Sequence, residues 1–269
     1  MSYKRVLSIQ DISCFGQCSL TVALPLISAC GVECSILPSA VLSTHTAGFS
    51  GYTVRDLSGD FADIFAHWNK SGIKYDAIYT GYLGSIDQID MILDYYNGFE
   101  DKPLLIVDPA MGDNGKLYPA FDENYANAMK KLCDAADIII PNLTEYDYMY
   151  GSKAEGKAPE DFDASHTSLV MTGYSKSENM TGVMVKTKDE TMFYEHEKLP
   201  EDRHGTGDIY SSVFVGALMN GKSLYDSAKI AADFTFRCIK NTQGDKEHFY
   251  GVRFELEIPE LLKSLGKMD

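Results

Sequence analysis

Residues 204–208 read His-Gly-Thr-Gly-Asp, directly ahead of an apolar stretch with helical spacing from Ile209 to Asn220. Two glycines let the backbone turn sharply and leave room for a ligand, and a helix start points unpaired N–H groups and its positive dipole end outward. Gly205, Thr206 and Gly207 therefore form a candidate anion hole. Asp208 falls in the first helical turn, where a carboxylate is also simply a good helix starter. Three further polar sets follow apolar runs: Asp108-Pro109, Pro141-Asn142-Leu-Thr-Glu145 and Thr172-Gly173. Asp108 and Glu145 are hard oxygen ligands of the kind Mg²⁺ uses, usually through water and beside phosphates, while Asn142 and Thr172 can hydrogen-bond phosphate oxygens. Each has an ordinary use too: Asp108 as a turn former before Pro109, Asn142 as a post-strand turn residue, Thr172 as a strand-end hydroxyl. Their combination, always at the C-terminal end of an apolar run, carries more weight than any one member.

A second phosphate motif is a decoy. Gly216-Ala-Leu-Met-Asn-Gly221-Lys222-Ser223 matches the phosphate-loop pattern G-x-x-x-x-G-K-[ST] letter for letter, but such a loop must follow a strand and open a helix. Ile209, Val213, Phe214, Ala217 and Leu218 upstream have helical spacing. Asn220-Gly221 then reads as a helix end and Ser223 as the cap of the next helix, with Asp226 at the capping-box position.

The elements that position these residues alternate. Short apolar runs at 4–9, 32–38, 75–79, 104–107, 137–140 and 169–171 are expected strands, and their continuous apolar character suggests a parallel sheet covered on both faces. Between them lie an apolar stretch at 18–30 ended by Gly31, and amphipathic patterns at Leu57, Phe61, Ile64, Phe65 and Trp68 and at Ile86, Ile89, Leu93 and Tyr96. Residues 182–187 and 191–195 read as a hairpin; helices are expected at 209–220, from Ser223 to about 241 and at 259–265. No repeat or linker divides the chain. In sheets of this kind ligands bind at the C-terminal strand ends.

Composition sets bounds. The 269 residues carry 24 Lys and Arg against 39 Asp and Glu, a net charge of −15, which argues against nucleic-acid binding. No apolar run approaches the roughly 18 residues of a membrane span, and Lys4-Arg5 leads straight into a strand-like segment without a leader pattern, so a cytoplasmic protein is expected. Cys14 and Cys18, and Cys30 and Cys34, have the spacing of metal ligands on one helical face. The second pair straddles Gly31, however, and no His clusters nearby, so buried or pocket-lining thiols are the expectation.

Six blocks in order, Val6-Leu-Ser-Ile-Gln10, Ser43-Thr-His45-Thr46, Thr80-Gly-Tyr82-Leu-Gly84, Val107-Asp108-Pro-Ala-Met-Gly112-Asp113, Asp137-Ile-Ile-Ile-Pro-Asn142-Leu-Thr-Glu145 and Gly205-Thr-Gly-Asp208, resemble the ribokinase-like superfamily through nearly the whole chain. Within it the chain resembles the pyridoxal/pyridoxamine kinases, the vitamin B6 salvage kinases. The resemblance implies an α/β three-layer sandwich: a central mostly parallel sheet, helices on both faces and a small flap over the substrate site, all in one domain, 1–269. It implies ATP-dependent phosphorylation of the 5′-hydroxymethyl group of a B6 vitamer. Asp208 would be the base and the Gly205–Gly207 N–H groups would hold the transferring phosphoryl group. Asp108 and Glu145 would organise Mg²⁺, and Asp108, Glu145, Asn142, Thr172 and Tyr118 would form the ATP side, with K⁺ a further cofactor of the family. Asp11, His45, Thr46 and Tyr82 would line the ring pocket, Ala40 and Leu42 would be its apolar walls, and residues 39–52 the flap. A homodimer is expected on the same ground.

One position departs. Where the family commonly has Ser after Ile-Gln, this chain has Asp11, and a carboxylate there would favour a protonated ring nitrogen or a cationic aminomethyl group. The polar segment 151–168 is too short for a long helix, so nucleotide-side details are expected to differ. The competing readings are a kinase of hydroxymethylpyrimidine or another small alcohol, and a non-catalytic sensor of pyridoxal phosphate or nucleotide.

Overall fold

Two separate apolar layers form because neighbouring strand residues point to opposite faces of one sheet. A computed structural model describes residues 3–200 and 203–268. Its elements run β1 (Arg5–Ser13), α1 (Leu20–Ala29), β2 (Glu33–Leu42), β3 (Val54–Asp56), α2 (Ser58–Lys70), β4 (Ala77–Thr80), α3 (Ile86–Asn97), β5 (Leu104–Val107), the short pair β6 (Gly112–Asp113) and β7 (Lys116–Leu117), α4 (Glu123–Asp134), β8 (Ile138–Ile139), α5 (Leu143–Met149), β9 (Ser168–Thr172), β10 (Met180–Lys186), β11 (Thr191–Glu197), α6 (Thr206–Met219), α7 (Leu224–Thr242) and α8 (Ile258–Ser264). Among the described residues nine strands make one sheet in the order β11-β10-β9-β8-β5-β4-β1-β2-β3. The pairings from β9 through β8, β5, β4 and β1 to β2 are parallel, and antiparallel strands close both edges.

Ile78 and Leu105 point into one layer with Phe61, Phe65, Ile89, Met129 and Tyr146 of α2 to α5. Tyr79 and Ile106, next to them in sequence, point into the other with Leu26, Val213, Phe214 and Ala228 of α1, α6 and α7. The expected hairpin is β10–β11, in register from Met180 opposite Glu197 to Lys186 opposite Thr191. Residues 151–168 carry a single 3-10 turn, Pro159–Asp161, as their polarity suggested. Chain order reverses at β1, which has β2 on one side and β4 on the other, and that reversal opens a crevice at the strand C-termini.

The flap is shorter than expected. Ser39 to Leu42 belong to β2: Ser39 is buried, donates to the Tyr82 carbonyl at 3.0 Å and accepts from the Gln88 side chain through its own carbonyl, so it is fixed in the sheet. Only residues 43–53 form an excursion, closed by Ser43 N–H to the Thr53 carbonyl at 3.0 Å. β1 slips against β2 opposite Asp11, from Gln10↔Pro38 to Ile12↔Val41, an irregularity of the kind that re-aims a side chain beside a site. Cys30 follows α1 and Cys34 lies in β2; Cys30, Cys133 and Cys238 are buried, Cys18 and Cys34 half-buried, and Cys14 exposed.

The phosphate-loop match at 216–223 spans a helix junction. Residues 209–216 are helical, Gly221 has φ 81°, and Ser223 caps α7, accepting from the Asp226 N–H at 3.0 Å and donating to its carboxylate at 2.8 Å. Ser223→Ala should lower unfolding free energy by about 1 kcal/mol and leave nucleotide affinity unchanged; denaturant melts and a nucleotide titration check both.

Candidate active site

Helix α6 starts on Gly205, whose φ of 75° lies in the left-handed region. A Cβ there would stand 1.9 Å from the Gln17 carbonyl oxygen, so position 205 admits no side chain while the β1–α1 loop stays in place. No side chain caps this helix start, so the first-turn N–H groups remain available to an anion. Asp208, partly buried, is one turn in. Its carboxyl is pushed up to about 7, first by burial, then by Asp108 and Asp11, against a favourable contribution from the Ser19 N–H.

Asp108 follows β5. One carboxylate oxygen accepts from the Ala110 N–H at 3.3 Å, the other from the Ser211 hydroxyl at 2.7 Å. Ser211 is the residue that motif reading missed, although its place three residues beyond Asp208 puts it on the same face of α6. Asn142 and Glu145 form a reciprocal cap on α5. The Asn142 side-chain oxygen accepts from the Glu145 N–H at 3.0 Å and its amide donates to the Gly112 carbonyl at 2.9 Å. Glu145 accepts from the N–H groups of Asn142 at 2.8 Å and Met111 at 3.1 Å. Both residues thus build the loop that joins Asp108 to β6. Burial and the nearby Asp108 charge raise Glu145 well above the usual carboxylate range, and burial raises Asp108.

Among the described residues, none of Asp108, Glu145 and Asp208 has a Lys or Arg ion-pair partner, and no three His, Cys, Asp or Glu side chains converge into a ready-made metal cage. Buried, mutually repelling carboxylates with oxygen-only donors fit a hydrated divalent cation that phosphates help to hold, rather than a protein-enclosed one. Thr172 is bridged to Asn142 across the sheet, its hydroxyl 3.4 Å from the Pro141 carbonyl. Tyr118, 38 % exposed, leaves the β6–β7 hairpin with its hydroxyl in the field of Glu145, Asp208, Asp113 and Asp108, which together with burial raises its pKa.

On the other side of the crevice Asp11 is buried, accepts from the Ser13 hydroxyl at 2.9 Å and is raised by burial. It lies within electrostatic reach of His45 and Tyr82. His45 is buried on the excursion with Nε2 2.9 Å from the Tyr250 carbonyl, and burial lowers its pKa. Its room comes from Gly16 (φ 103°), where a Cβ would lie 2.1 Å from the imidazole. Tyr82 packs on Phe121 at 5.4 Å. Thr46 is exposed beside His45, and Ala40 and Leu42 are buried in β2. The Cys18 thiol borders the hole, 3.4 Å from where a Gly205 Cβ would stand.

A profile described as phosphomethylpyrimidine kinase matches residues 24–252. The chain belongs to that kinase family. Within it the chain is a pyridoxal-kinase-like phosphotransferase of the ribokinase-like superfamily. A Bacteroides thetaiotaomicron protein, described as a phosphomethylpyrimidine kinase and crystallised with pyridoxal, is 31 % identical with TM-score 0.87, covering 97 % of this chain and 96 % of its own. Pyridoxal kinase from Lactobacillus plantarum is 28 % identical with TM-score 0.87, covering 97 % and 98 %. A pyridoxine/pyridoxal/pyridoxamine kinase of Bordetella pertussis is 25 % identical over 255 residues, 88 % of this chain and 89 % of the relative. The three-layer fold expected from the motifs is therefore the fold of these kinases.

The raised Asp208 carboxyl has a sign. Between pH about 4 and about 7 the folded, ligand-free kinase holds a proton that the unfolded chain has released, so stability falls as pH rises through that window. Asp208→Asn should flatten this slope and exceed the wild type at pH 8 by about 2 kcal/mol; denaturant melts at pH 5 and pH 8 measure it.

Proposed function

We propose that residues 1–269 act as one domain that transfers the γ-phosphoryl group of ATP to the 5′-hydroxymethyl group of a B6 vitamer. The observation that carries this reading is Asp208 in the first turn of an uncapped helix start, within electrostatic reach of Asp108 and Asp11, with Glu145 in reach of Asp108 and His45 and Tyr82 in reach of Asp11. An alcohol is almost wholly protonated near neutral pH, so it needs a base placed against it as the O–P bond forms. A carboxyl raised to about 7 by burial is a better proton acceptor than an ordinary aspartate and is still substantially ionised near neutrality. The Gly205, Thr206 and Gly207 N–H groups hold the charge spread over the transferring group. Asp108 and Glu145 would hold Mg²⁺, whose charge would supply neutralisation of the phosphates. Asn142, Thr172 and Tyr118 border the nucleotide phosphates, and Thr46 closes the ring side. K⁺, a homodimeric assembly and a cytoplasmic location belong to this reading through the family resemblance; among the described residues no helix is long and apolar enough to cross a membrane.

Asp11 supports a finer statement. Its carboxylate is buried beside neutral partners, and among the described residues no cation pairs with it. A cationic aminomethyl group would relieve it and a hydroxymethyl group would donate to it, whereas the aldehyde of pyridoxal, which can only accept, would not. Pyridoxamine or pyridoxine is therefore preferred over pyridoxal. The family description favours one second reading, a hydroxymethylpyrimidine kinase.

ADP release from ATP and Mg²⁺, with pyridoxal, pyridoxine, pyridoxamine, hydroxymethylpyrimidine and ribose offered separately, tests both statements. Turnover with a B6 vitamer is expected, falling at least about 100-fold in Asp208→Asn, and Asp11→Ser should erase the preference. Turnover confined to the pyrimidine selects the second reading. Binding of ATP or a vitamer without turnover makes the protein a sensor. Equal use of all three vitamers by wild type and Asp11→Ser removes the role given to Asp11.

A further inference from the structure

The acceptor side of the crevice rests on a strip that no sequence motif marks, residues 242–255 after α7. Arg203, one residue before the His-Gly-Thr-Gly-Asp loop, gives its guanidinium to three carbonyls of the strip: Thr242 at 3.0 Å, Asp245 at 3.0 Å and His248 at 3.2 Å. Arg253 pairs with Asp245. Gln17 ties the strip to the β1–α1 loop: its side-chain oxygen meets His248 Nε2 at 2.8 Å, its amide donates to Glu255 at 2.8 Å, and its backbone N–H donates to the Tyr250 carbonyl at 3.3 Å. Gly251 permits this fit, since a Cβ there would lie 2.5 Å from the Gln17 side-chain oxygen. The strip is thus fastened to the two segments that shape the anion hole.

The excursion over the acceptor pocket lies on this base. Phe49 packs on Phe249 at 5.2 Å and on Phe15 at 5.9 Å, and Phe15 lies 4.7 Å from Tyr250. The Tyr250 carbonyl can only accept, so His45 Nε2 carries the proton and the imidazole is held as one tautomer. Its Nδ1 is then a buried lone pair without a protein partner. We infer that the strip, through the Phe249 ring and the Tyr250 carbonyl, is a positioning element for the acceptor flap: it holds residues 45–49 down over the ring pocket, setting acceptor affinity and keeping water from the phosphoryl group. The inference names residues that govern the acceptor side of the kinase reading and rests on it for the affinity and water-exclusion parts; the mechanical part stands alone.

Phe249 is 45 % exposed, so its removal perturbs the flap more than the fold. Phe249→Ala, Phe49→Ala, the double variant and Phe249→Leu separate the outcomes. Hydrogen exchange at residues 43–53 of the ligand-free protein should accelerate in each alanine variant and no further in the double, with Phe249→Leu close to wild type. Pyridoxine binding measured by calorimetry without nucleotide should weaken about fivefold in each single variant, again without adding in the double. The KM for ATP should stay within about twofold, and ADP formed per acceptor phosphorylated should rise. Unchanged exchange at 43–53, or additive effects of Phe49 and Phe249, overturns the inference. Accelerated exchange in a protein that phosphorylates no vitamer overturns the kinase reading and leaves the flap contact standing.

Discussion

The carboxylates Asp108, Glu145 and Asp208 repel one another in a partly dehydrated crevice, and the surrounding structure is arranged to hold them there. Ligand-free, such a group of like charges raises its own pKa values and opposes folding. What holds it is a set of neutral donors: the Ser211 hydroxyl and Ala110 N–H on Asp108, two N–H groups on Glu145, and the Ser19 N–H at Asp208. Neutral donors orient a carboxylate without cancelling its charge. The charge is left uncompensated, which a lysine or arginine in the same place would prevent.

The sheet makes this geometry rigid. Asp11, Asp108 and the Asn142–Glu145 cap each lie at or just beyond the end of one of the parallel strands β1, β5 and β8, and their strands are bonded through β4 and each other. Helix α6, packed on the second apolar layer, brings Asp208 and Ser211 over those ends from the opposite side of the chain order. A single helix therefore sets the register between Asp208 and Asp108, through one 2.7 Å hydrogen bond from Ser211 across 103 residues of sequence.

Much of this was legible in the residues. Continuous apolar runs gave the parallel strands, and the spacing upstream of Lys222 rejected the phosphate-loop match, because periodicity reports which faces are buried. The motif residues at strand ends fell together, since in a parallel sheet those ends share one edge. Other features were hidden for physical reasons. Asn142 and Glu145 look like phosphate and metal ligands by type, yet their side chains also form a helix cap, and one residue can do both. Ser39 to Leu42 open a segment rich in Ser, Thr and Gly but continue a core strand, because the Tyr82 carbonyl and the Gln88 side chain satisfy Ser39. The contact of Gln17 with His248 spans 231 residues, and no local pattern encodes a pairing at that distance.

That separation has a consequence for the order in which the molecule is made. Among the described residues all eleven strands precede residue 198, so a growing chain possesses these strands before Arg203, the loop at 204–208 and the strip at 242–255 emerge. Parallel sheets with distant pairings form slowly, and a domain folds as a unit. The acidic crevice is thus the last part to be completed, and its lid finds its seat only after the final long helix has docked. A chain that stops short of α7 therefore lacks the strip that seats residues 45–49, whatever portion of the sheet it has already assembled.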